Sequence, residues 1–87
     1  MNDIAFSTAA WEQYLSWQQL DSKTLKKING LLKDIQRNGP AQGLGKPEAL
    51  RYRKGWSRHI DHANRLVYDI DGNRDIYVIA CKGHYED

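Results

Sequence analysis

Apolar residues recur at two periods along this chain, and the change falls near residue 40. Before it, hydrophobic positions lie three and four apart, as one face of a helix requires. After it they alternate, as a half-buried strand requires. The opening run "DIAFS" ends at Ser7-Thr8, either of which can cap a helix. A helix over about Ala9–Leu20 follows, with Trp11, Tyr14 and Leu15 as its inner stripe. Trp17 falls off that stripe and reads as an interface or partly exposed residue. "LDSKT" interrupts the pattern, with Asp21 or Ser22 as the next cap. A second helix runs to about Arg37, and Leu25, Ile28, Leu32 and Ile35 form its apolar face. Lys23, Lys26, Lys27 and Lys33 fill the remainder and read as solvated helix surface. Asn38-Gly39 and Pro40 stop it. So short a connection predicts an antiparallel helical hairpin.

"AQGLGKP" is a glycine-rich loop. Beyond it "ALRY", "WSRHI", "RLVYDI" and "DIYVIAC" read as strands, with "DGNR" turning the last pair into a hairpin. "IAF" is expected to join the same sheet. The predicted architecture is α+β and two-layered. An N-terminal short strand and a helical hairpin pack on a mostly antiparallel sheet of four to five strands, leaving its other face to solvent or a partner. Eighty-seven residues suffice for one domain, residues 1–87.

Composition narrows the class. Hydrophobic residues make up 40% and charged residues 28%, which fits a globular domain and excludes a disordered or membrane-spanning chain. "MNDIAFSTAAW" has no basic stretch ahead of an apolar block, so no secretory signal is expected. A single cysteine fits a reducing, cytoplasmic setting. The net charge of +2 conceals a cluster. Lys46, Arg51, Arg53, Lys54, Arg58 and Arg65 face only Glu48 and Asp61 over one short stretch, with His59 and His62 among them. Such clustering suits a phosphate backbone.

Groups able to act as acid, base or electrophile then gather on the sheet's free face: Lys46, Glu48, Arg51, Arg58, His59, Arg65, His84 and Tyr85. That inventory matches cleavage of RNA by its own 2′-hydroxyl, which needs a base, an acid and a cation but no metal or other cofactor. Glu48 is the candidate base, His84 the acid and Arg65 the phosphate clamp. A zinc site from His59-x-x-His62 and Cys81-x-x-His84 fits poorly, because residues three apart on a strand point to opposite faces.

"GLGKPEAL", "WSRHI", "RLVYDI" and the final "HY", in that order after "AWEQYLSWQQLDSKTLKKINGLLKDIQRNG", resemble the YoeB-type toxins of the RelE superfamily over nearly the whole chain. The resemblance implies the toxin half of a type II toxin–antitoxin pair. It implies a ribosome-dependent endoribonuclease that cuts mRNA in the A site and blocks translation. It places the catalytic base on Glu48, the phosphate-contacting arginine on Arg65, the general acid on His84 and its companion on Tyr85. Lys46 and Arg51 fall where the family carries basic residues near the scissile phosphate. With Arg53, Arg58 and His59 they make the expected RNA-binding set. It also implies a YefM-type antitoxin as partner, with an acidic segment that orders across the cleft, and a homodimer with Trp11 and Trp17 near its interface.

Three departures stand out. The family pattern Arg-Arg-Ile is here Arg58-His59-Ile60, so a fixed charge becomes a titratable one. The acidic pair before the family's His-Arg is replaced by Asp61-His62-Ala63-Asn64. Glu86 and Asp87 follow the Tyr where the family pattern stops, which places negative charge beside His84. A non-enzymatic RNA- or protein-binding module of the same fold is the alternative reading.

Overall fold

The computed structural model of the chain describes residues 2–85. Its elements follow the two periods of the sequence: β1 (Ile4–Phe6), α1 (Thr8–Leu20), α2 (Ser22–Asn38), β2 (Glu48–Ala49), β3 (Trp56–His59), β4 (Arg65–Ile70) and β5 (Ile76–Ala80). Ser7 caps α1, its side chain accepting from the Ala10 N–H at 3.0 Å. Asp21 closes one helix and opens the next. Its N–H donates to the Trp17 carbonyl, and its carboxylate accepts from the Lys23 and Thr24 N–H groups and the Thr24 hydroxyl. These bonds hold the Asp21 pKa below the usual carboxylate value, the Thr24 hydroxyl contributing most. With one residue between the helices, Tyr14 and Asn29 lie nearly equidistant from the bend. The Tyr14 hydroxyl donates to Asn29 Oδ1 at 2.6 Å, as in a hairpin.

The sheet has five strands in the order β1-β5-β4-β3-β2. β1 runs parallel to β5, and the other pairs are antiparallel. Ile28, Leu31, Leu32 and Ile35 of α2 and Ala10 and Trp17 of α1 form one core with Leu66, Tyr68, Ile76, Val78 and Cys81. The expected stripe of α1 is corrected here. Trp11 is 45% exposed and packs edge-on against Phe6, whereas Trp17 is buried, its indole N–H donating to the Cys81 carbonyl. Trp17 therefore belongs to the domain's own core. "ALRY" is also shorter than expected: the strand ends at Ala49, and the Leu50 N–H turns back to the Gly55 carbonyl. Gly55 has φ +133°, a conformation that breaks an extended run.

Candidate functional site

Strand alternation assigns each residue of the basic stretch to a face. Opposed residues in an antiparallel pair share a face, and so do residues two apart on one strand. Glu48 opposes Ser57, and His59 opposes Arg65. Glu48, Ser57, His59 and Arg65 therefore stand together on the face away from the helices. Arg58, between Ser57 and His59, points the other way with Leu66, its partner across the sheet.

The expectation that Arg58 contacts RNA is overturned by that geometry. Its side chain is 0% exposed. Nε donates to the Tyr68 hydroxyl at 2.9 Å, and Nη1 pairs with Asp34 and donates to the Leu44 carbonyl. Nη2 donates to the carbonyls of Gly39 and Gln42. One guanidinium thus fastens the glycine-rich loop to α2 and to the sheet. Burial pushes the Asp34 pKa up, but the Arg58 guanidinium and the Leu44 and Asn38 N–H groups outweigh it, and the net shift is downward. Burial raises the Tyr68 phenol against the opposing effect of Arg58. The loop needs its glycines. A Cβ at Gly43 would lie 1.9 Å from Asp34 Oδ2, and one at Gly45 would lie 2.9 Å from the His59 carbonyl. The His59 N–H in turn donates to the Gly45 carbonyl at 2.6 Å, so the loop is tied to β3 immediately before it delivers Lys46 and Glu48.

The C-terminal segment reaches the same face by a fixed route. Cys81 is docked on α1: its N–H donates to Gln13 Oε1, and its thiol lies 3.6 Å from the Ala10 carbonyl. Burial pushes that thiol up to about 11, and it sits on the helix side of the sheet. Two residues later the Gly83 N–H donates to Asn64 Oδ1 at 2.7 Å, and its carbonyl accepts from the Arg65 N–H at 3.0 Å. His84 and Tyr85 are thereby seated beside the start of β4, with Arg53 Nη1 donating to the Tyr85 hydroxyl at 2.8 Å. Asp61 and Asn64, which the sequence marks only as a departure from the family pattern, build the turn beside this segment. The Asp61 carboxylate accepts from the Ala63 and Asn64 N–H groups and the Asn64 amide, which sets the β3–β4 turn. Burial acts to raise the Asp61 pKa, but these bonds carry it below the usual value. Arg65 Nη1 donates to three carbonyls of that turn, those of Asp61, His62 and Asn64. An Asp-x-x-Asn pair in a short turn is the sequence signal that points to this role.

The outcome is a cleft of about 410 Å³ lined by Glu48, Leu50, Arg51, Tyr52, Ser57, His59, Arg65, His84 and Tyr85, among others. Lys46 lies to one side, in a neighbouring groove with Lys27 and His59. Lys46 has φ 54°, a left-handed conformation in a non-glycine residue. His59 is at the centre. Burial lowers its pKa most, and Arg65 and Lys46 lower it further against the opposing charge of Glu48. The imidazole is accordingly neutral near pH 7. Glu48, Arg65, His84, Tyr85, Arg51 and His59 are thus brought to one cleft, Arg53 to its rim through Tyr85, and Arg58 to the core. Glu86 and Asp87 lie outside the described residues.

Residues 6–85 match the family described as the YoeB-like toxin of bacterial type II toxin–antitoxin systems. The chain is 47% identical to the toxin YoeB of Synechocystis sp. over 85 residues, covering 95% of this chain and 96% of that one. It is 48% identical to the YoeB dimer from Staphylococcus aureus, with TM-score 0.90 over 97% of this chain and 98% of the other. The heterotetrameric YoeB–YefM complex from Staphylococcus aureus matches at TM-score 0.89 and 48% identity, over 98% of this chain and 99% of that one. By sequence and by fold over almost its full length, the chain belongs to the YoeB-like toxins of bacterial type II toxin–antitoxin systems.

Proposed function

We propose that the chain is an endoribonuclease that cuts mRNA in the ribosomal A site by attack of the RNA's own 2′-hydroxyl, and so arrests translation. The observation that carries this reading is the gathering of a carboxylate, a guanidinium and an imidazole, Glu48, Arg65 and His84, in one cation-lined cleft. Glu48 takes the proton from the 2′-hydroxyl. The resulting alkoxide attacks phosphorus and the bond to the 5′ oxygen breaks. His84, in its protonated form, gives that oxygen a proton, leaving a 2′,3′-cyclic phosphate and a 5′-hydroxyl. Each proton transfer contributes roughly 10²–10⁴-fold. Among the described residues Arg65 bonds only through Nη1, so Nε and Nη2 keep their N–H donors for the phosphoryl oxygens. Tyr85, held by Arg53, borders the same space. Lys46, Arg51 and Arg53 bind the flanking backbone, and His59 adds a neutral hydrogen-bonding group where a further cation is the family pattern.

The partner follows from the relatives. A Staphylococcus aureus relative is complexed with YefM, and we extend a YefM-type antitoxin to this chain, with an acidic segment suited to the basic cleft. A homodimer, the form described for a Staphylococcus aureus relative, is extended in the same way, with exposed Trp11 as a candidate aromatic anchor. The test of activity incubates purified protein with translating ribosomes and maps mRNA 5′ ends. New ends at the A-site codon are expected. Intact mRNA on ribosomes that retain the protein would favour the binding-module alternative. The test of partnership is co-purification with the product of the adjacent reading frame.

A further inference from the structure

We propose that Tyr52 is a stacking platform for the RNA base that flanks the cleaved linkage, and so helps determine which sequences are cut. The inference rests on the nuclease reading above and extends it to substrate choice. Tyr52 is 75% exposed and lines the cleft that holds Glu48, Arg65 and His84. It lies four residues after Glu48, a reach of no more than about 14 Å along the backbone, which suits a neighbouring nucleotide rather than a distant one. The Arg51 guanidinium lies over one face of the ring, 5.8 Å from its centroid, and Arg53 and Lys54 follow in the same bend. Aromatic faces for bases beside cations for phosphates are how single-stranded RNA is held.

The other exposed aromatics lack this setting. Trp11 stacks with Tyr14 against Phe6, and Tyr77 shares its groove with Asp3, Asp69, Asp71 and Asp75, whose charges repel phosphate. Tyr85 lines the cleft but is half-buried, with its hydroxyl taken by Arg53. Among the described residues Tyr52 is thus an exposed aromatic that shares the cleft with Glu48, Arg65 and His84.

The test replaces Tyr52 by Phe, Trp, Leu and Ala and measures kcat/KM for cleavage of ribosome-bound synthetic mRNA. Stacking predicts that Trp and Phe retain cleavage, while Leu and Ala lose about tenfold or more. Thermal unfolding should shift little across the series, because the side chain is 75% exposed. In a second arm, an abasic nucleotide beside the cleavage point should bring the wild type down to the Ala variant and leave that variant unaffected. Leu performing as well as Phe, or an abasic site that harms both proteins equally, would overturn the proposal. The same series is read as binding to ribosomes carrying 2′-O-methylated mRNA, which cannot be cut. A wild type that fails to cleave ordinary mRNA but shows the ring-dependent order in binding would support stacking and remove the nuclease reading. A cleaving wild type with no ring dependence would do the reverse.

Discussion

Replacing Arg58 by methionine keeps most of the side-chain volume and removes every donor. Asp34 then loses its ion-pair partner, and the carbonyls of Gly39, Gln42 and Leu44 and the Tyr68 hydroxyl lose theirs. Deleting one partner of a buried pair costs about 3–5 kcal/mol. Asp34 is 11% exposed and keeps its bonds to the Leu44 and Asn38 N–H groups, which argues for the lower end of that range. A chain of this length holds roughly 4–13 kcal/mol in all. The variant should therefore lose a large share of its stability, with a melting temperature lower by about 12 °C or more. Urea unfolding followed by tryptophan fluorescence measures it. Adding Asp34→Leu should restore part of the loss, because the stranded carboxylate is gone. Arg58→Lys should restore little, since one ammonium cannot span acceptors set out around a planar fork. A loss under about 1 kcal/mol, together with weakened RNA binding, would refute the buried-hub reasoning and return Arg58 to the RNA face.

Three further outcomes are expected. Gly43→Ala should destabilise by about 1–3 kcal/mol, since it puts a Cβ against Asp34 at φ +112°; a urea midpoint equal to wild type contradicts this. The Asp34 pKa is depressed in the fold, so the stability it contributes is complete above its unfolded value of about 3.9 and is lost as pH falls through the folded one. The stability gap between wild type and Asp34→Asn should accordingly shrink from pH 6 to pH 3. The His59 imidazole should titrate by NMR below the ordinary value of about 6.5, and its midpoint should rise in Arg65→Gln; an unchanged midpoint would show that Arg65 does not act on it.

The sequence was most legible where period and composition agreed. "RLVYDI" is β4 residue for residue, and the face of α2 is the one its spacing marks, with Leu31 added. It was least legible where a side chain does something unusual for its type. Trp17 was misassigned because the true inner stripe of α1 runs through Ala10, whose small side chain gives little hydrophobic signal. Arg58 was misassigned by charge, although alternation in "WSRHI" forbids Arg58 and His59 from sharing a face. The grouping of Glu48 with His84 depends on contacts between residues far apart in the chain, above all the Gly83–Asn64 bond. Linear spacing does not reveal such a bond. Residue chemistry and the expectation of a shared sheet face suggested the grouping, the resemblance placed roles on it, and the backbone pins give it a physical cause.

The division of labour between Glu48 and His84 is tested most directly by changing the leaving atom. Single-turnover cleavage is measured on ribosome-bound mRNA whose scissile 5′ oxygen is replaced by sulfur, a leaving group that departs without a proton. With ordinary mRNA, Glu48→Ala and His84→Ala should both be nearly inactive while unfolding like wild type, as exposed positions allow. With the sulfur substrate His84→Ala should recover most of the wild-type rate and Glu48→Ala should not. Equal recovery of both variants, or none in His84→Ala, would contradict the assignment of base and acid in this cleft.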